Sequence, residues 1–497
     1  MSASALWQEK CCAAADRSTT SKAMIQDTIA APASATGGAI SVIRVSGNDA
    51  ISMASSIFTP AEGASPLSES RGYTLHFGQV HLTDGTLLDE VVVALFRAPA
   101  SYTGEDSVEI YCHGSNYIVQ TMLALLIEKG ARMATAGEFT RRAFVNGKMD
   151  LAQAEAVADL IASETESAHR VAMSQMKGGF SRELRQMRDE MLHIVSLMEL
   201  ELDFSEEEVE FADRGELGKL LDTTIDHIDT LVASFRLGNV IKNGIPVAIA
   251  GATNTGKSTL LNAILGEEKA IVSPIHGTTR DAIEDTINIE GTLFRFIDTA
   301  GIRKTRGTVE TIGIEKTFEK IRQASIILLM LDARRPDNFT ESIANFAGKF
   351  DSSRQKVVIL INKCDKLAGS TTPALPLMRE CAASTANEAG ISPVAVLTIS
   401  AREKTGMAEL RRTLVKIVES LNFDLDATLV TNLRHYQSLR SALASLMQAR
   451  TDLDTAKPTD LIAQDIREAL YHIGAITGQI STDEILGEIF GKFCIGK

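Results

Sequence analysis

The segment Gly251-Ala-Thr-Asn-Thr-Gly-Lys257-Ser258 constrains this chain more than any other. It follows an apolar run at 247–250 and opens a helical pattern at 259–265. Between a strand and a helix, such glycines let backbone N–H groups curl around phosphate oxygens, and the helix N-terminus adds partial positive charge. Lys257 is placed to reach β- and γ-phosphates, and Ser258 to offer its hydroxyl to Mg²⁺. The motif also dictates a fold, because a loop of this kind sits at the carboxyl edge of a parallel α/β sheet. The sequence downstream complies. Strand-like runs at 283–289, 293–297, 326–331, 357–361 and 394–399 are mostly separated by helical patterns. A doubly wound α/β domain is expected over 244–420.

Three further motifs fall at strand ends and name the nucleotide. Asp298-Thr299-Ala300-Gly301 follows the run at 293–297. Asp298 is expected to hold Mg²⁺ through water, and the Gly301 amide to face the γ-phosphate. In Asn362-Lys363-Cys364-Asp365 a carboxylate can accept from both N1–H and the N2 amino group of guanine. Adenine offers no such pair, and a site left with an unpaired buried acceptor discriminates by ~10⁴-fold or more. Ser400-Ala401-Arg402 is expected to supply a backbone N–H to guanine O6. GTP is therefore the expected ligand. Its contacts are expected from Asn254, Thr255, Gly256, Lys257, Ser258 and Thr259, from the switch segment Ser273, Pro274, Ile275, His276, Gly277, Thr278 and Thr279, from 298–301, and from Asn362, Lys363, Asp365, Ser400, Ala401 and Arg402.

Hydrolysis needs an ordered water. The position after Gly301, where many such domains carry glutamine, is Ile302, which cannot orient one. Glu310, acting through a bridging water, is the expected replacement, with Asp298 beside it as the second catalytic group. Asn254 suggests another aid. Its side-chain carbonyl, with oxygens from Ser273, Ile275 and Thr278, would suit K⁺ against the phosphates, supplying positive charge where other enzymes use arginine. Ser258 and Thr279 are the expected Mg²⁺ ligands.

The rest of the 497 residues reads as further domains. Residues 1–23 lack periodicity and are read as a disordered extension. The stretch 24–143 alternates strand-like and helical patterns, with a hairpin signal at Asp84-Gly85, and is read as a small α+β domain. Residues 144–243 and 421–497 are helical, and the two stretches are expected to pack as one discontinuous domain around the α/β insert. The net charge of −14 argues against a chain that coats nucleic acid unaided. The six cysteines show no zinc spacing, and no run reaches the ~18 apolar residues of a membrane span, so a cytoplasmic protein without a membrane partner is expected.

Outside the α/β insert, three segments carry a resemblance. They are Ser101-Tyr-Thr-Gly-Glu-Asp-Ser-Val-Glu-Ile110, Gly137-Glu-Phe-Thr-Arg-Arg-Ala-Phe-Val-Asn-Gly-Lys148 with Asp150-Leu-Ala-Gln-Ala-Glu-Ala156, and the terminal Phe493-Cys-Ile-Gly-Lys497. With the four nucleotide motifs they resemble the MnmE (TrmE) family over about 27–497, nearly the whole chain. The resemblance implies an N-terminal folate-binding and dimerisation domain, a helical domain and an inserted G domain. It implies a homodimer working in a heterotetramer with the FAD-containing MnmG (GidA) on tRNA. The family installs an aminomethyl or carboxymethylaminomethyl group on carbon 5 of wobble uridine, using a tetrahydrofolate derivative (5-formyl or methylene). The family's folate site matches Arg44, Glu109, Lys148 and Lys497, and its C-terminal cysteine, considered a catalytic group, matches Cys494. Arg and Lys suit the folate carboxylates, and Glu109 suits the pterin N–H groups. A GTPase switch in ribosome assembly would explain the G domain equally well but leaves Lys148, Cys494 and Lys497 idle.

Overall fold

The computed structural model describes residues 27–35, 37–203, 214–266, 284–297, 322–349, 355–367, 374–419, 428–480, 483–491, 493–494 and 496. The chain divides into two compact units. One comprises Met1–Ala158, Gln175–Ala212 and Lys457–Lys497, the other Asp159–Ser174 and Asp213–Ala456.

The first unit begins with β1 (Ile29–Pro32), β2 (Ile40–Ser46), α1 (Ala50–Ile57), β3 (Phe58–Pro60), β4 (Thr74–His81), β5 (Leu87–Phe96), β6 (Ser107–His113), α2 (Asn116–Glu128) and β7 (Arg132–Met133). The strands form one sheet in the order β3-β4-β5-β6-β2-β1-β7. Alternate residues such as Ile43, Val45, Val93, Leu95 and Ile110 meet Met122 and Leu126 of α2 in one core. The β4–β5 hairpin closes at Asp84-Gly85 as expected: Asp84 Oδ1 accepts from the Thr86 amide at 2.9 Å and Gly85 has φ +84°. The short strands β1, β3 and β7 are additions to the sequence reading. Each is too brief for a period-2 signal, and β1 exists because it pairs antiparallel with β2 on one side and parallel with β7 on the other.

Helices α3 (Glu138–Val145), α4 (Leu151–Ala162), α5 (Glu166–Met176), α6 (Gly179–Asp203) and α7 (Arg214–Asn243) follow. Then come β8 (Ile245–Gly251), α8 (Lys257–Gly266), β9 (Glu284–Ile289), β10 (Thr292–Ile297), β11 (Ile326–Asp332), α9 (Phe339–Ala344), β12 (Lys356–Asn362), α10 (Ala374–Glu388), β13 (Pro393–Thr398) and α11 (Met407–Glu419). The chain closes with α12 (Leu433–Asp454), α13 (Thr459–Thr477) and α14 (Asp483–Phe490). Helix α13 packs on α6 in the first unit, and α12 packs on α7 in the second. Among the described residues no helix is long and apolar enough to cross a membrane.

The second sheet has the order β13-β12-β11-β8-β10-β9, parallel except for the antiparallel edge strand β9. Both faces are covered, as a parallel sheet requires. Val247, Ile249, Leu328 and Leu360 face Leu260 of α8 and Leu410 and Leu414 of α11. Ala248, Ala250, Ile327 and Ile359 face Ile343 of α9 and Ala382 of α10. This architecture is the multidomain α/β-plus-α arrangement read from the sequence.

A buried charge network ties the start of the first unit to α3. Arg142 is fully buried and donates to the Asp27 carbonyl and carboxylate, both at 2.7 Å, and to Glu138 at 3.2 Å; Glu105 lies at 3.3 Å. Burial works against the Glu138 charge. Hydrogen bonds from Arg132 and Thr135 outweigh it and bring the carboxyl from 4.5 down to about 2. A depressed carboxyl contributes stability in full above its unfolded value of 4.5 and loses it as pH falls toward about 2. Arg142→Met strands these carboxylates, and removing one partner of a buried ion cluster costs about 3–5 kcal/mol. Urea unfolding of the full chain at pH 7 should show that loss. The gap to wild type should narrow as pH falls below 3.8, because burial opposes the Asp27 charge while hydrogen bonds from Arg132 and Arg142 hold its carboxyl below that value, and a pH-independent gap would contradict the assignment.

Candidate functional site

The glycine-rich loop leaves β8 at Gly251 and enters α8 at Lys257. Its shape depends on backbone that only some residues adopt. Gly251 has φ +144° and Gly256 φ +102°, while Asn254 holds the left-handed φ +62° that asparagine tolerates better than most residues. A Cβ on Gly256 would lie 2.4 Å from Asn362 Nδ2. Thr255 turns inward, its hydroxyl donating to the Ala252 carbonyl at 2.9 Å. Lys257 Nζ donates to the carbonyls of Gly251 at 2.8 Å and Ala252 at 2.9 Å, and burial lowers its pKa. Asn254, Ser258 and Thr259 are exposed along the loop and the first turn of α8.

Asn362, at the end of β12, joins this loop to the base-side motifs. It is 2% exposed. Its Nδ2 donates to the Thr255 carbonyl at 2.8 Å, and its Oδ1 accepts from the Ala401 amide at 3.0 Å. Asp365 accepts from the Ser400 hydroxyl at 2.7 Å, and that hydrogen bond leads the effects holding its carboxyl below the usual range. Lys363 takes φ +69° and points its ammonium back to the Asn254 carbonyl and to Asp332 Oδ2, the latter at 2.8 Å. Arg402 is exposed beside Asp365. The phosphate loop and two motifs that follow it by more than 100 positions, with Thr255 and Asn362 107 apart and Asn362 and Ala401 39 apart, thus form one cluster at the carboxyl ends of β8, β12 and β13. Asp332 was missed by sequence reasoning, although a carboxylate directly after the apolar run of β11 is a visible signal. The positions expected to complete the site, Ser273 to Thr279, Asp298, Thr299, Ala300, Gly301 and Glu310, lie outside the described residues.

A second polar cluster lies in the first unit. Arg44, on β2, pairs with Glu109 across from it on β6: Nε and Nη2 approach Oε1 at 2.9 and 2.8 Å. Glu109 Oε2 also accepts from the Tyr111 hydroxyl at 2.9 Å. The rings of Tyr102 and Phe139 flank the guanidinium, with centres 5.5 and 5.6 Å from its carbon. Arg44 Nη1 donates to the Gly496 carbonyl at 3.2 Å, so the C-terminal segment ends on this cluster. The Cys494 carbonyl accepts from the Gly137 amide at 3.4 Å, leaving its thiol on an exposed residue. Lys148 Nζ donates to the Pro99 carbonyl at 2.9 Å, bracing the loop that carries Tyr102. It also borders a cavity of about 440 Å³ shared with Phe144, Asp150, Gln153 and Arg185. Lys497 lies outside the described residues. Tyr102, Phe139 and Gly496 lie in the segments that carry the resemblance but were not named as site residues, since nothing local marks them as neighbours of Arg44.

A strand, a glycine-rich phosphate loop and a helix, with Asn-Lys-x-Asp and Ser-Ala motifs at neighbouring strand ends, define a P-loop GTPase domain. Here it is inserted between paired helices and accompanied by a separate α+β domain. The family description "GTP-binding protein TrmE N-terminus" matches residues 28–148, and "MnmE helical domain" matches 151–494. The tRNA modification GTPase MnmE of Bacteroides fragilis (strain YCH46) is 50% identical over 479 residues, covering 95% of this chain and 100% of that protein. The protein of the same name from Flavobacterium johnsoniae is 50% identical over 478 residues, covering 95% and 99%. The chain belongs to the MnmE (TrmE) family.

Proposed function

We propose that this chain hydrolyses GTP in support of tRNA modification, as the names of its relatives describe for those proteins. The observation that supports it best is Asn362, which bonds the phosphate loop through Thr255 and the guanine-side motif through Ala401. One buried side chain thereby sets the spacing between the triphosphate and base ends of a single nucleotide. The loop's fit to phosphate rests on its left-handed glycines, and Ser258 at the start of α8 suits Mg²⁺ together with Thr279 and Asp298. K⁺ would bind at Asn254, with Ser273, Ile275 and Thr278 supplying further oxygens, and Glu310 would order the attacking water.

The modification is the addition of an aminomethyl-type group to carbon 5 of wobble uridine. A tetrahydrofolate derivative supplies the one-carbon unit when bound at Arg44, Glu109, Lys148 and Lys497. The cluster fits such a ligand: a flanked guanidinium and a carboxylate, each only about one-sixth exposed, sit together beside the C-terminal segment that bears Cys494. The chain acts as a homodimer through its N-terminal domain, whose β4 exposes Leu75 at 71% and Phe77 at 54% on one face, and it works with the FAD-containing MnmG.

Nucleoside mass spectrometry tests this reading. tRNA from a deletion strain should lack carbon-5 aminomethyl-type uridines. The wild-type gene should restore them, and Asp298→Ala should not. Restoration by Cys494→Ser would remove the thiol from the chemistry. Uridines that survive the deletion would end the tRNA proposal.

A further inference from the structure

We propose that Asp332 is a positioning residue of the nucleotide site, acting through Lys363 to fix the turn of the phosphate loop at Asn254. This rests on the reading of the G domain as a GTP site. Asp332 is the last residue of β11, the strand that lies between β8, which carries the phosphate loop, and β12, which ends at Asn362 with Lys363 directly after it. Its side chain is only 12% exposed and accepts from two cations. Arg334 approaches with Nη2 at 2.7 Å and Nε at 3.1 Å, and Lys363 Nζ with 2.8 Å. Burial opposes the carboxylate charge, and these hydrogen bonds overcome it, so Asp332 stays ionised well below the ordinary carboxylate range.

The same ammonium of Lys363 donates to the Asn254 carbonyl. Both ends of that bond sit on left-handed backbone, at φ +69° for Lys363 and +62° for Asn254. Non-glycine residues hold this conformation at a cost and keep it only where the surroundings over-determine it. A lysine ammonium on a flexible four-carbon stem has no fixed direction of its own. The Asp332 carboxylate supplies that direction. It holds the ammonium between β11 and the loop, where it can reach the Asn254 carbonyl. The peptide of Asn254 is thereby set, and with it the outward course of the Asn254 side chain and the N–H groups that follow toward Lys257. Asn362 makes the parallel tie one residue later, to the Thr255 carbonyl at 2.8 Å. The base-side motif thus grips two consecutive carbonyls of the phosphate loop, and Asp332 is the anchor of the first grip.

A non-additivity cycle tests the route. Asp332→Ala, Lys363→Ala and the double variant are compared with wild type for GTP kcat, KM and thermal midpoint, with Asp332→Asn as the conservative variant. Asp332→Ala is expected to lower kcat/KM about tenfold. Adding it to Lys363→Ala should change kcat/KM less than twofold, because its effect passes through that lysine. Asp332→Asn, which keeps the shape and one acceptor, should recover part of the loss. Effects that multiply in the double variant would overturn the proposal and leave Asp332 a general support of β11. So would an Asp332→Ala enzyme with wild-type kcat/KM. Absence of GTP hydrolysis in the wild-type chain would instead defeat the underlying GTPase reading, which keeps the two failures apart.

Discussion

Asp365→Asn is expected to exchange GTP for xanthosine triphosphate as the preferred nucleotide. Guanine presents two donors side by side, N1–H and the N2 amino group, and a carboxylate accepts both. In the structure Asp365 is oriented by the Ser400 hydroxyl at 2.7 Å, which leads the effects keeping it ionised. An amide at 365 keeps one acceptor but turns an N–H₂ group toward the guanine amino group, donor against donor. Xanthine carries a carbonyl at that place and restores the match. Sites that hydrogen-bond a ligand reject a mismatched analogue by about 10⁴-fold. GTP kcat/KM should therefore fall by about that factor, while xanthosine triphosphate becomes a substrate. Steady-state hydrolysis of both nucleotides by the full chain decides it. A variant that still prefers GTP would remove Asp365 from base recognition.

Gly496→Ala is expected to detach the C-terminal segment from the Arg44 cluster while leaving the G domain intact. Gly496 has φ +95°, and a Cβ there would stand 2.1 Å from the Pro32 carbonyl, a backbone atom that cannot swing away. The segment must lift, and the bond from Arg44 Nη1 to the Gly496 carbonyl is lost with it. The guanidinium is then no longer held in place to meet a folate carboxylate, and a hydrogen bond to such a charged group is worth about 1.5–3 kcal/mol. At 1.4 kcal/mol per tenfold, affinity for 5-formyltetrahydrofolate, measured by calorimetry, should weaken by about 10- to 100-fold. GTP hydrolysis should stay within about twofold, as expected for a site that shares no partner with the change. Unchanged folate affinity would show that the proposed folate site does not use the tail. A matching collapse of GTP hydrolysis would show that the two sites are coupled.

What was legible in the sequence follows from where the chemistry is written. The phosphate loop is eight consecutive residues between a strand and a helix, so its glycines, Lys257 and Ser258 can be read without knowing any distant contact. The strands of the α/β insert are legible for a similar reason: a strand buried on both faces, such as β11 or β12, is a continuous apolar run. The strands β1, β3 and β7 are not, because two to four residues carry no period and their existence depends on the neighbours they pair with. Candidate residues carried by resemblance fared differently by place. Arg44 and Glu109 meet across a strand pair, and the C-terminal segment reaches them through Gly496, whereas Lys148 bonds to Pro99.

The sequence by itself determined the α/β insert, the order of its motifs and the choice of guanine over adenine, because each rests on residues adjacent in the chain. Only the tertiary structure decided that Asp332 anchors Lys363 against Asn254, that Tyr102 and Phe139 flank Arg44, and that Gly496 must lack a side chain beside Pro32. Those contacts join positions tens to hundreds of residues apart. Their geometry is set by how strands register and how helices pack, which a linear pattern does not encode.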